Sequence, residues 1–147
     1  QAFARAFGGE SNVPTFDVVV DAGCGTGLVG EQFRSISSFL LGVDLSQEIL
    51  NEALKKRPGL YDKIQVGDIT EIFHQQPNSI SLIVAGDSFI YFGNLEPLFS
   101  SMNVGLKEED GYVAFTMENV DKTHQAMYVN KEQYAHTCLS RSLPLGC

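Results

Sequence analysis

Four aspartates, Asp21, Asp44, Asp68 and Asp87, each follow a short apolar run, and Gly23, Gly25 and Gly27 alternate directly after the first of them. Glycine lacks the Cβ that would keep a backbone away from a ligand, so three of them after a strand mark a turn where the chain approaches a bound molecule closely. Carboxylates at strand ends can accept hydrogen bonds from hydroxyl and amino groups, and a carboxylate's two oxygens can take a vicinal diol together. The combination points to a nucleotide-like ligand. Nothing points to a metal: Cys24, Cys138 and Cys147 match no zinc spacing, and with three cysteines a reducing compartment is expected, read here as cytoplasmic. Cys24 lies inside the glycine turn and reads as a small buried filler rather than a nucleophile. His74 reads as a surface residue, and His124 and His136 would serve as general bases only if the acceptor must lose a proton.

The elements that must hold these residues follow from periodicity. Phe16 to Asp21 is a buried strand, and Leu28, Val29 and Phe33 place a helix directly after the glycines, lasting to about Arg34. Phe39 to Asp44 is the second strand. Ser46 caps the next helix, with Glu48 in its first turn, Ile49, Leu50, Ala53 and Leu54 on its apolar face, and Glu52 opposite Lys56. The basic run Lys55-Lys56-Arg57 sits in its last turn, where the helix dipole favours cations. Lys63 to Val66 is a third strand, Thr70 to Phe73 one helical turn, and Ile80 to Ala85 a fourth strand covered on both faces. Asn94 caps a helix whose Leu95, Leu98, Phe99, Met102 and Leu106 form one stripe, and Tyr112 to Glu118 is the fifth strand. Phe3 and Phe7 mark a short helix at the start. Strands alternating with helices predict an α/β fold, a Rossmann-like three-layer α/β/α sandwich with a mostly parallel sheet, and all four aspartates on one rim.

Composition bounds the rest. The 147 residues make one domain, 1–147, able to bury roughly 70% of its unfolded surface. With 44% hydrophobic and 19% charged residues the chain is a folded one, and no run has the length of a membrane helix. A net charge of −8, with Lys55-Lys56-Arg57 as the one short basic cluster, argues against a nucleic-acid partner.

Two glycine patterns overlap on the same atoms. Gly25, Gly27 and Gly30 satisfy the dinucleotide pattern GxGxxG, with Asp44 at the distance of an acid for a ribose diol. Gly23, Gly25 and Gly27 form GxGxG with an acid two residues earlier. Asp21 separates them: a carboxylate there would repel a pyrophosphate but suits a cofactor bearing an ammonium and a sulfonium, as S-adenosylmethionine does.

Val20-Asp21-Ala22-Gly23-Cys24-Gly25-Thr26-Gly27, then Gly42-Val43-Asp44-Leu45-Ser46, Gly67-Asp68-Ile69 and Leu82-Ile83-Val84-Ala85-Gly86-Asp87 resemble the successive motifs of class I S-adenosylmethionine-dependent methyltransferases. Gly27 to Gly30, Tyr61-Asp62 and Tyr134-Ala135-His136 are similar to the small methyltransferases associated with tetratricopeptide repeats and to the Williams–Beuren-region methyltransferase-like group. The resemblance implies that Gly23, Cys24, Gly25 and Gly27 pass under the methionine moiety, which Asp21 orients. It further implies that Asp44 holds the ribose, Leu45 packs on adenine, Asp68 and the Ile69 amide read the adenine edge, and Asp87 and Ser88 floor the space between cofactor and acceptor. S-adenosylhomocysteine would be the product and a small molecule the acceptor. Phe89, Tyr91 and Phe92 either wall an acceptor pocket or belong to the core. No catalytic residue declares itself, as suits an in-line displacement with a good leaving group.

The likeness weakens after Glu118. A short strand at Met127-Tyr128-Val129 and a helix from Glu132 to Leu143 are the remaining expectations, without the C-terminal strand pair of the full methyltransferase fold. A chain shortened in this way would leave the fifth strand as an open edge on which a second copy could dimerise. Three functions stand: a methyltransferase, a truncated and catalytically silent cofactor-binding domain, and an NAD-type oxidoreductase domain.

Overall fold

The β-branched run Val18-Val19-Val20 marks the first strand as a central one. In the computed structural model, which describes residues 2–118 and 124–130, this strand, β1 (Phe16–Ala22), lies between β2 (Ser37–Asp44) and β4 (Leu82–Ala85), with β3 (Lys63–Val66) outside β2 and β5 (Tyr112–Glu118) outside β4. These five pair in parallel, and a sixth strand, β6 (His124–Asn130), pairs antiparallel with β5. The sheet order is β3-β2-β1-β4-β5-β6, so strand order reverses between β1 and β4. Ligands of open α/β sheets bind beyond the carboxyl ends of the strands at such a point.

Side-chain alternation along β1 splits the core into two layers. Val20 and Ala22 join Leu41, Val43, Ile83 and Phe115 under α4 (Ile69–Gln75) and α5 (Glu96–Gly105), while Val19 joins Leu40, Leu82, Val84 and Ala114 on the other side. On that second face α1 (Ala2–Ala6) brings Phe3, whose ring lies 5.0 Å from Phe33 at the end of α2 (Leu28–Phe33). Phe7 completes the aromatic layer, 6.2 Å from Phe16 and 5.5 Å from Tyr112. The three-layer arrangement is therefore as expected.

Local chemistry set most helix ends. Ser46 caps α3 (Gln47–Lys56), its hydroxyl accepting from the Ile49 N–H at 3.3 Å. Asn94 accepts from the Glu96 N–H at 3.0 Å, so its side chain satisfies the start of α5 from one residue further out than a regular cap. Leu98, Met102 and Leu106 are fully buried, the face that the periodicity marked. Glu52 is met by Lys55 at 2.9 Å rather than by Lys56, an exposed pair worth little.

Differences concentrate where tertiary pairing decides. The helix after Asp68 runs over seven residues rather than one turn, because Ile72 and Phe73 bury completely against α5 and the sheet. β4 begins at Leu82, with Ile80 forming an isolated bridge to Leu106. The expectation of an open edge at β5 is overturned: the predicted three-residue strand at Met127-Tyr128-Val129 extends to seven residues and pairs along all of β5, Tyr112 to Asn130 through Glu118 to His124. β5 is an interior strand and offers no edge to a second copy. The helix expected from Glu132 to Leu143 lies outside the described residues.

An ion pair anchors the segment entering β3. Arg34 donates to Asp62 at 2.6 Å and to the Ser37 carbonyl at 2.6 Å, and Asp62 also accepts from the Leu40 N–H at 2.7 Å inside β2. The Arg34 guanidinium holds the Asp62 carboxyl below its ordinary range. Asp62→Ala leaves that strand amide without its acceptor and frees the guanidinium. It should lower unfolding free energy by about 1–3 kcal/mol in urea titration, the scale of an unmade hydrogen bond to a charged group.

Candidate active site

The C-terminal end of β1 carries a carboxylate into the protein interior. Asp21 is 0% exposed, and its Oδ2 accepts from the Tyr61 hydroxyl at 2.6 Å while its Oδ1 is buried without a partner. Burial pushes the carboxyl up to about 6; the Tyr61 hydroxyl opposes that rise and the nearby Asp44 charge adds to it. Buried next to this acid, the Tyr61 phenol is held well above its ordinary range. Cys24 is likewise pushed up, to about 12, mainly by burial. A thiol so protonated is no nucleophile, which agrees with its reading as a filler.

The turn that follows is built on positive-φ glycines, Gly23 at 70°, Gly25 at 54° and Gly27 at 92°. Two of them are also crowded. A Cβ on Gly23 would lie 2.5 Å from the Ser88 Oγ, and one on Gly27 would lie 2.9 Å from a Leu60 methyl. Gly25 differs, since a Cβ there would meet open space. The turn is thus packed from below on either side of a residue that faces outward.

Asp44, at the end of β2, joins this turn directly. Its Oδ2 accepts from the Gly25 N–H and its Oδ1 from the Ser46 N–H, each at 3.0 Å. Leu45 beside it is 75% exposed, a large apolar surface on the rim with no covering side chain among the described residues. Ser88, just beyond β4, lies 3.1 Å from the Gly23 and Gly86 carbonyls and donates to them. Asp87 adopts a left-handed backbone, φ 54°, held by Thr116 on β5. The Asp87 N–H donates to the Thr116 Oγ1, which donates back to the Asp87 carboxylate, both at 2.8 Å. Asp21, Gly23, Cys24, Gly25, Gly27, Asp44 and Ser88 are therefore tied into one assembly at the switch point, with Leu45 and Asp87 on its rim.

Asp68 and Ile69 stand apart from that network. The Asp68 carboxylate accepts from the Thr70 N–H at 2.8 Å and the Thr70 hydroxyl at 2.7 Å, so in this structure it caps α4. The Ile69 side chain is in the core, and its amide is the first of the helix. Phe89 is core, packed on Phe92, Phe99 and Phe115, while Tyr91 is 84% exposed. Exposed His74 bonds its Nδ1 with the Thr70 carbonyl at 2.7 Å.

Two residues are invisible to periodicity. Arg57, which with its neighbours has the pattern of a solvated helix end, donates to the Thr26 carbonyl and to Glu31, each at 3.0 Å, bracing the glycine turn against α2 and α3. Tyr61, which the sequence marks only through a resemblance, bonds Asp21. The one signal that could have found Tyr61 is Gly30 and Gly42, glycines in a helix and a strand with no turn to make, each of which abuts its ring.

The polar groups fit a cationic, ribose-bearing cofactor: an unpartnered buried carboxylate oxygen, and a second carboxylate bonded to a glycine turn whose middle glycine has open space where a Cβ would stand. No group of three or more metal-ligating side chains occurs among the described residues.

The raised Asp21 carboxyl makes the fold itself pH-dependent. Its folded value, about 6, exceeds the ordinary 3.8, so its contribution favours the folded chain at low pH and is lost as pH rises from about 4 through 6. Asp21→Asn removes that loss. The variant should unfold at higher urea than wild type at pH 7.5, by about 1–3 kcal/mol, since each tenfold change in proton affinity is worth about 1.4 kcal/mol, and the difference should vanish at pH 4. A less stable variant at pH 7.5 would show that the charge is not a burden to the fold.

Comparison with known proteins bears on the family and the fold. A family model described as a methyltransferase domain matches residues 19–109, from within β1 to the turn before β5. No curated protein matches in sequence. Among solved structures, phosphoethanolamine N-methyltransferase 2 of Haemonchus contortus, in complex with S-adenosyl-L-methionine, superposes with a TM-score of 0.64 at 29% identity, over 79% of this chain and 27% of that one. An S-adenosylmethionine-dependent methyltransferase of Clostridium acetobutylicum gives 0.59 at 28% identity, over 71% and 44%. One of Mesorhizobium loti gives 0.59 at 19% identity, over 84% and 60%. The chain thus spans at most 60% of the length of these three enzymes. Since the family model spans more than half of its length, the chain belongs to the methyltransferase-domain family, in the class I fold whose cofactor is S-adenosylmethionine.

Proposed function

We propose that this chain carries the cofactor site of a methyltransferase acting on a small-molecule acceptor. The observation that carries the proposal is the Asp44–Gly25 hydrogen bond, which joins an acceptor suited to a ribose diol to the one turn glycine with open space before it. Bound there, S-adenosylmethionine would supply the methyl group by in-line displacement.

Gly23, Gly25 and Gly27 would let the backbone run beneath the methionine moiety, with Cys24 contributing its main chain. Asp21 would accept from the amino group through the oxygen that Tyr61 leaves free. Asp44 would hold the ribose hydroxyls, and Leu45, already exposed, would cover one adenine face. Asp68 has one carboxylate oxygen committed to Thr70 and a second for an exocyclic amine, beside the first amide of α4 at Ile69. Asp87 and Ser88, fixed by Thr116 and Gly23, would form the floor on the acceptor side. Alignment and exclusion of water by such contacts can supply much of the rate without a proton-transferring side chain.

A small acceptor is supported by the net charge of −8, which disfavours a phosphate backbone. The Haemonchus enzyme has been solved with phosphomonomethylethanolamine and S-adenosylhomocysteine. Of the narrower likeness to the tetratricopeptide-associated and Williams–Beuren-region groups, Gly27, Gly30 and Tyr61 are the residues within the described part of the chain that touch the site.

An NAD-type site is disfavoured by the buried carboxylate where a pyrophosphate would rest, and Gly30, which completes the dinucleotide pattern, serves a side chain instead. Calorimetric titration should give saturable binding of S-adenosylhomocysteine and none of NAD. Binding of NAD alone would overturn the reading. Asp44→Ala should weaken S-adenosylhomocysteine by about 1.5–3 kcal/mol, the scale of hydrogen bonds to a charged group. An unchanged affinity would remove Asp44 from the site.

A further inference from the structure

Tyr61 reaches Asp21 through a slot lined by glycines from three separate elements. A Cβ on Gly30, in α2, would lie 2.6 Å from the Tyr61 hydroxyl and 2.8 Å from the Asp21 Oδ2. One on Gly42, in β2, would lie 3.0 Å from three atoms of the Tyr61 ring, and one on Gly27 would lie 3.3 Å from the hydroxyl. Neither Gly30 nor Gly42 has a positive φ, so neither is required by its backbone. Their shared property is that a side chain at either would displace the tyrosine.

We propose that Tyr61 is a positioning residue for the cofactor site: its hydroxyl saturates the Asp21 Oδ2, fixes the carboxylate's rotation, and leaves Oδ1 as the acceptor for the cofactor's amino group. The inference rests on the assignment of Asp21 to that group. It goes beyond it in making a residue outside every cofactor motif responsible for the state of the acid. The phenol is also a donor that cannot compete as a cation. It stabilises the ionised acid without neutralising it, whereas a lysine or arginine in the slot would pair with Asp21 and repel an ammonium.

The charge state follows from the same contact. Four groups face Asp21 from the elements around it: the Tyr61 hydroxyl from the segment before β3 and the Gly30 N–H from α2, which favour ionisation, the Asp44 carboxylate from β2, which opposes it, and Cys24 in the turn, a thiol whose own proton is held mainly by burial and further by the two acids. Removing the hydroxyl leaves burial opposed only by the Gly30 N–H. The acid would then titrate at a higher pH, by on the order of one unit.

The test is Tyr61→Phe, which keeps the ring in its slot. S-adenosylhomocysteine affinity, measured by calorimetry from pH 5.5 to 8.5, should rise with pH in both proteins. In the variant the midpoint should move up, so that binding is about fivefold weaker at pH 6 yet within about twofold of wild type at pH 8.5. A merely structural role would lower affinity by one factor at every pH and would overturn the proposal. A second readout needs no ligand: the Asp21 side-chain carboxyl, followed by carbon NMR in the free protein, should titrate higher in Tyr61→Phe. An unmoved titration would also overturn it. Failure of wild type to bind the homocysteine analogue at any pH, with the carboxyl titration still displaced, would discard the cofactor assignment and leave the Tyr61–Asp21 coupling standing.

Discussion

A carboxylate removed entirely from water at the end of the central strand constrains everything around it. Taking a charge out of water is expensive unless hydrogen bonds compensate, and Asp21 receives one strong bond, from Tyr61, with its second oxygen left over. Accommodating that bond dictates Gly30 and Gly42, the path of the chain from α3 into β3, and the close approach of α2 to the sheet. The fold carries this burden at the place where strand order reverses, which is where a parallel sheet presents its strand ends to ligands. Locally destabilised groups cluster at functional sites for this reason.

Around the acid, the site is stiffened by contacts between elements far apart in sequence. Arg57 at the end of α3 holds the Thr26 carbonyl, Ser88 after β4 holds the Gly23 carbonyl, and Asp44 at the end of β2 holds the Gly25 amide. The three crossings converge on five residues of turn. A backbone with three left-handed glycines would sample many conformations if left alone, so these braces convert glycine's freedom into one shape. The same logic applies at Asp87, whose left-handed backbone is held by Thr116 from the neighbouring strand.

Binding residues of this kind divide by what already occupies them. Asp44, Asp68 and Asp87 each spend at least one carboxylate oxygen on the protein's own amides or hydroxyls, which orients the carboxylate while leaving lone pairs for a ligand. Leu45 makes the opposite contribution, an apolar surface left uncovered. A polar frame that is pre-oriented and an apolar face that is open together reduce the ordering needed when a nucleoside binds.

Much of this was legible in the residues themselves. Alternating apolar runs and amphipathic stripes announced the parallel sheet and its two helical layers. Local cap chemistry announced the start of α3, and the acid before GxGxG discriminated between cofactors. These are short-range properties, in which a residue's type and its neighbours within a few positions decide the outcome. Pairings across long sequence separations were not legible. Tyr61 lies 40 residues from Asp21, and Arg57 lies 31 from Thr26; no local pattern specifies either partner. The length of β6 likewise depended on an existing β5 to template its hydrogen bonds, and α4 grew because α5 and the sheet offered its apolar residues a place to bury. The sequence by itself determined which elements form and which acids stand at their ends, because those follow from local periodicity and backbone freedom. Tertiary structure alone decided which of those acids is buried and which partner sets its charge, because desolvation is a property of the packed interior and of no single segment.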